Sequence, residues 1–147
     1  MLPKTSKRSP LVVSVLNRLL QTLSRSLALY VEEVRPWSLA GHEAVWTAIG
    51  RLAADGRMYS QRVAEAIIEH GGQPNPGPYP LEFATLNDLS LEFFLREIID
   101  RLKRDQKMIS QWASELARVP AACGLAEEIY GNLRGHTELL ERLAAEL

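Results

Sequence analysis

Gly71-Gly72-Gln73-Pro74-Asn75-Pro76-Gly77-Pro78-Tyr79-Pro80 is the stretch that decides the fold. The paired glycines end one helix, and prolines at alternate positions forbid the next from starting. Roughly fifteen residues pass before helical spacing resumes near Leu86, whereas a plain hairpin between helices needs about two to eight. A proline-rich extended chain covers about 3 Å per residue, so this segment reaches about 45 Å, the length of a bundle. The pattern predicts a helix pair, a long crossover and a second helix pair, in an all-α chain.

Four amphipathic stretches flank it. The first helix is predicted over 11–35, opening after Ser9-Pro10 and stopping at Pro36. Its apolar face is Leu16, Leu19, Leu20, Leu23, Leu27, Tyr30, Val31 and Val34. Trp37 to Gly41 form the turn. The second helix, over 43–70, has Val45, Ile49, Leu52, Ala53, Gly56, Tyr59, Val63, Ala66 and Ile67 inward. Asp55-Gly56 in its middle costs about 1 kcal/mol against alanine, which calls for a large side chain opposite. The third, over 86–118, carries Leu91, Leu95, Ile98, Leu102, Asp105, Ile109, Trp112 and Leu116 at alternating steps of three and four. Asp105 is the charged residue on that seam. The fourth, over 125–146, turns Ile129, Leu133, His136, Leu140 and Leu143 inward. Residues 1–10 are expected to be a loose basic tail before one bundle over 11–147.

With 147 residues, the chain is long enough for one domain with a real core. Its 46% hydrophobic and 24% charged residues are those of an ordinary soluble protein, and a net charge of -1 argues against a dedicated nucleic-acid binder. One cysteine, Cys123, excludes an internal disulfide and a cysteine zinc site; its neighbours Pro120 and Gly124 predict a turn. Lys4, Lys7 and Arg8 before Leu11-Val12-Val13 imitate a signal peptide, but Asn17 and Arg18 break the apolar run. No run of about eighteen apolar residues exists. The expectation is a cytoplasmic protein with no membrane span.

The chain resembles the ferritin-like superfamily, particularly its bacterioferritin and rubrerythrin branches. Three stretches carry the resemblance: Leu16-Asn17-Arg18-Leu19-Leu20 followed by Tyr30; Arg62-Val63-Ala64-Glu65-Ala66-Ile67-Ile68-Glu69-His70-Gly71-Gly72-Gln73-Pro74; and Glu128-Ile129-Tyr130-Gly131-Asn132-Leu133-Arg134-Gly135-His136 followed by Leu139-Leu140-Glu141. The resemblance implies a ferritin-like four-helix bundle. It also implies a di-iron centre in which two helices give one Glu each and two give a Glu-x-x-His pair.

The ligand positions are mostly apolar here. The first-helix glutamate falls on Leu23. The second-helix pair falls on Gly56 and Tyr59, and the last-helix pair on Leu133 and His136. The third-helix glutamate falls near Ile98 or Ile99. A competing alignment through Asp88-Leu89-Ser90-Leu91-Glu92 offers Glu92 but shortens the loop. Several buried carboxylates without their metal repel one another and lose solvation, so apolar residues in their place read as a core repaired after loss of the metal. Leu23, Gly56, Tyr59, Ile98, Leu133 and His136 are thus the vestigial site.

The remaining polar residues admit two readings. Asp105 and His136 are the candidate ligands of a reduced, mononuclear metal site. Alternatively Tyr30, Tyr59, Asp105 and His136 form a buried hydrogen-bond network, a tyrosine hydroxyl satisfying Asp105 or His136. His42 and His70 at helix ends read as exposed. The haem methionine of bacterioferritin falls on Arg57, so haem is not supported; Met58 and Met108 read as packing residues. The basic tail resembles DNA-holding tails of some ferritin-like proteins, but three charges give only salt-sensitive attraction. Arg101, Lys103, Arg104 and Lys107, interspersed with Glu97 and Asp100, read as a solvated face.

The leading expectation is a non-catalytic module, structural or protein-interacting, with no cofactor. It pairs as a homodimer with Trp37, Trp46, Phe93 or Phe94 in an exposed apolar patch. The lack of a further helix after the fourth argues against a ferritin-type cage. The alternative is an iron- or manganese-binding oxidase or iron-storage protein with an altered site. A third reading places a small-molecule pocket among Leu23, Gly56, Tyr59, Leu133 and His136.

Overall fold

The computed structural model describes residues 9–34, 42–86 and 90–147. Their order is α1 (Pro10–Ser24), α2 (Leu27–Val34), α3 (Glu43–Glu69), a 3₁₀ turn (Leu81–Leu86), α4 (Leu91–Glu115) and α5 (Pro120–Ala145). No strand occurs among the described residues, so the chain is all-α. No described helix is long and apolar enough to cross a membrane. The basic tail at Lys4, Lys7 and Arg8, the stop at Pro36, the turn with Trp37, and Asp88-Leu89 lie outside the described residues.

The helices bury the faces that their spacing predicts. Leu16, Leu19, Leu95, Ile109, Leu116 and Ile129 are completely inaccessible. Burying each such side chain contributes about 1.5–3 kcal/mol. Val34 is the exception on the first face, being 43% exposed at the end of α2.

Neighbouring helices run antiparallel. Val13 of α1 lies against Gly72, just past the end of α3, while Glu32 of α2 lies against Gly50 and pairs with Arg57. Tyr59 reaches Glu128 and Asp55 reaches His136 across α3 and α5. Gln106 donates to Thr137 and Lys103 pairs with Glu141 across α4 and α5.

Four element boundaries differ from the sequence pattern, the simplest being the end of the third helix, at Glu115 and not at 118. The expected first helix breaks at Arg25 and Ser26, because the Ser26 hydroxyl accepts the N–H of Leu29 and restarts the helix as α2. Serine competes for backbone donors in this way. The third helix begins at Leu91, where Ser90 caps the N–H of Phe93; residues 81–86 form the 3₁₀ turn instead. The fourth helix begins at Pro120, five residues early, with proline in the first turn where its missing N–H costs nothing. Cys123 therefore sits within α5 and not in a turn, its thiol directed to the Ala113 carbonyl at 3.4 Å.

The glycine pair closes α3 by two reverse bonds. Gly71 has φ 84° and donates to Ile68, and Gly72 donates to Ile67. This is the Schellman arrangement, which needs a left-handed residue where glycine is least strained. Gly72 is also sterically required, since a Cβ there would stand 2.4 Å from a methyl of Val13. Beyond it the extended segment lies along α1. Asn17 both donates to the Gln73 carbonyl and accepts the Asn75 N–H, and Gln21 donates to the Asn75 carbonyl. Gly77 rests on Arg25, and Tyr79 donates to Glu33. Tyr30, Tyr79 and Phe83 then form an aromatic cluster, with Tyr30 5.4 Å and 5.3 Å from the other two ring centres.

Gly56 has a different basis from the one expected. No large side chain faces it; a Cβ would meet only the Leu23 carbonyl oxygen, at 4.0 Å. That is ordinary contact, so alanine fits. Gly56→Ala is expected to raise unfolding stability by up to about 1 kcal/mol, and Gly72→Ala to lower it by about 1–3 kcal/mol through collision with a stiff β-branched neighbour. Urea unfolding of both variants checks the opposite signs.

Candidate functional site

Leu23 of α1, Gly56 of α3, Ile98 of α4 and Leu133 of α5 come together around one void, with Leu52 and Leu102. These are four of the six vestigial-site positions, and Ile98 is the isoleucine that faces the void. The space is about 30 Å³, room for one water at most. A small-molecule pocket at this level is therefore closed by packing. Leu23, Ile98 and Leu133 are all at least 95% buried.

The residues at this level do not fit a di-iron pair. Such a centre needs converging carboxylates and histidines, and the walls are leucine and isoleucine with Thr22, Ser26, Arg101 and Asp105 at one edge. A guanidinium beside the space repels a cation. Glu92, the competing candidate, is exposed in the first turn of α4, where a carboxylate complements the helix dipole.

Tyr59 and His136 do not line the void; they belong to a polar seam between α3 and α5. His136 Nε2 donates to Asp55 at 2.7 Å, and Asn132 donates to the same oxygen at 2.9 Å. Burial pushes the Asp55 carboxyl up, but the hydrogen bonds from Asn132 and His136 and the charge of His136 outweigh it, and the carboxyl sits below its ordinary value. Tyr59 donates to Glu128 at 2.7 Å, and Arg62 grips the same carboxylate. Burial first, and then the Glu128 bond, push the Tyr59 hydroxyl up to about 12, so it stays protonated and donating. The Arg62 and Tyr59 hydrogen bonds hold Glu128 below its ordinary range.

The network expected around Asp105 and His136 is thus rearranged. Tyr59 serves Glu128, and His136 is satisfied by Asp55, a residue that sequence reasoning treated only as a helix-breaking neighbour of Gly56. The signal for the seam lay in Asn132 and His136, four apart on one helix face. Among the described residues no group of three or more His, Cys, Asp or Glu is placed to hold a metal ion.

Asp105 occupies the edge of the void, half-buried, with Arg101 in the same wall. Among the described residues its carboxylate accepts no hydrogen bond. Burial raises its pKa to about 6 against the opposing pull of Arg104 and Arg101.

Other candidates are placed as follows. His42 and His70 are half-buried at the two ends of α3, not exposed. Arg57 pairs with Glu32. Met58 and Met108 are each 43% exposed and do not pack in the core. Phe94 is fully buried and Trp46 half-buried, so among the described residues of the expected apolar patch Phe93, 36% exposed, is the one at the surface. Lys103 pairs with Glu141 and Arg101 with Glu82, so the mixed-charge face of α4 is knitted to its neighbours.

Asp105 gives a pH prediction. Its folded pKa is raised, so the folded state favours the neutral acid and stability falls as pH climbs from about 4 through about 6. Asp105→Asn removes that loss. The variant is expected to be more stable than the parent by about 2 kcal/mol at neutral pH, with the difference vanishing toward pH 4; urea unfolding across that range measures it.

No protein-family model, curated protein or solved structure matches the chain.

Proposed function

We propose that this chain is a ferritin-like four-helix bundle whose di-iron position has been filled by a hydrophobic core, and that it works as a structural or protein-interaction module that pairs as a homodimer. The observation that carries the reading is the convergence of Leu23, Gly56, Ile98 and Leu133, one from each helical arm, on a single nearly filled point. Spacing alone turns these four positions inward, and the register of the resemblance assigns them to one level of the bundle, which supports the reading.

The chain directions support the same reading. α1 opposes α3, α3 opposes α5 and α5 opposes α4, so α3 and α4 run the same way. Two consecutive parallel helices need a connection as long as the bundle. The segment from Gln73 to Tyr79, tied to Asn17, Gln21 and Glu33 in that order, serves as that crossover.

The test is elemental analysis after incubation with Fe(II), run beside the solution mass. A stable dimer without stoichiometric iron is expected. About two irons per chain, oxidised by oxygen, would overturn the reading in favour of an altered oxidase or storage protein. In that event His136→Ala should abolish binding.

A further inference from the structure

A second space opens beside the void and belongs to none of the vestigial positions. It is a cleft of about 570 Å³ where the α1–α2 break, the 3₁₀ turn and α4 meet. That is a size suited to a small organic molecule. Four arginines line it, Arg18, Arg25, Arg101 and Arg104, against two acids, Glu82 and Asp105.

The arginines are incompletely paired. Arg25 Nε is buried without a hydrogen-bond partner, its side chain laid over Gly77. Arg101 Nε is also buried without one, with Glu97 at 3.7 Å, while its Nη2 reaches Glu82 at 2.9 Å and its plane stands 5.0 Å over Phe83. Arg18 and Arg104 are exposed and form no ion pair among the described residues. The buried Nε atoms lie behind the wall, and what the cleft offers an anion is the outer nitrogens of Arg25 and the exposed guanidinium of Arg104, neither held in an ion pair among the described residues. Leu27, the first residue of α2, lies in the cleft wall, so a helix N-terminus adds partial positive charge there. Met108 and Trp112 supply an apolar floor.

We propose that this cleft binds a small oxyanion-bearing organic molecule, a phosphate monoester or carboxylate, with Arg25 and Arg104 on the anion and its apolar part against Met108 and Trp112. Guanidinium groups pair bidentately with both anions, and the apolar floor distinguishes such a ligand from a bare inorganic ion. The α1–α2 break gains a role from this: it interrupts the helix where Arg25, Ser26 and Leu27 come to the wall.

The experiment is calorimetric titration of the whole chain with phenyl phosphate, benzoate, inorganic phosphate and phenol. At least one of the two aromatic anions is expected to bind, more tightly than inorganic phosphate, with phenol giving no signal; which anion binds assigns the ligand class. Arg25→Gln and Arg104→Gln are each expected to weaken binding by about tenfold or more, with circular dichroism unchanged. Arg104 is exposed and unpaired, so its variant keeps the test open should Arg25→Gln fail to fold. The Trp112 indole resonance should shift on titration. No binding by either aromatic anion, equal affinity in Arg104→Gln, or an unmoved Trp112 would overturn the assignment. Iron takes no part in this assay, so its failure and the failure of the filled-core reading are separate results.

Discussion

The rest of the structure depends on one constraint: four helical arms must bury leucine and isoleucine against each other at the level of Leu23, Leu52, Ile98, Leu102 and Leu133. These side chains close on a space no larger than a water. Close-packed interiors transmit volume changes, so each arm's position is set by the others. Gly56 of α3 faces the broken end of α1, where the Leu23 carbonyl oxygen would stand 4.0 Å from an added Cβ. Polar residues are pushed to the periphery of this core. Asp55, Asn132 and His136 pair off along the α3–α5 seam, and Asp105 is left at the edge, carrying the cost of a half-buried carboxyl.

The proline-rich segment is the second determinant. Prolines remove donors, and an extended chain bonds nothing in itself, so its remaining backbone groups need outside partners. Asn17 supplies both a donor and an acceptor, and Gln21 a further donor. Tyr79 and Phe83 then anchor the end of the segment on Tyr30. The strap and the helix break share a neighbourhood, Arg25 against Gly77, and the basic cleft lies beside it.

Much of this was legible from residue spacing. The inward face of α3 and the seam of α4 follow from steps of three and four, and Gly71-Gly72 announces the end of α3. The four void-lining positions all lie on the inward faces that spacing predicts. What escaped has physical causes. The break at Ser26 depends on a single hydroxyl outcompeting a helical carbonyl, which spacing does not reveal. The start of α4 depends on Ser90 as a cap, and that of α5 on Pro120 being read as a stop when proline is equally at home in a first turn. His136 was legible as an inward residue but its partner was not, because Asp55 and His136 meet only through the α3–α5 packing. The cleft assembles Arg18, Arg25, Arg101 and Arg104 from segments far apart in sequence, so no local motif marks it.

The central claim is that the level where the resemblance places metal ligands is a close-packed apolar core. Unfolding stability of Leu133→Ala tests this most directly, because the residue is 95% buried and lines the space where the arms converge. A tightly filled core predicts a loss of about 2–5 kcal/mol. A loss below about 1 kcal/mol would mean a loose or hydrated site, and would contradict the account.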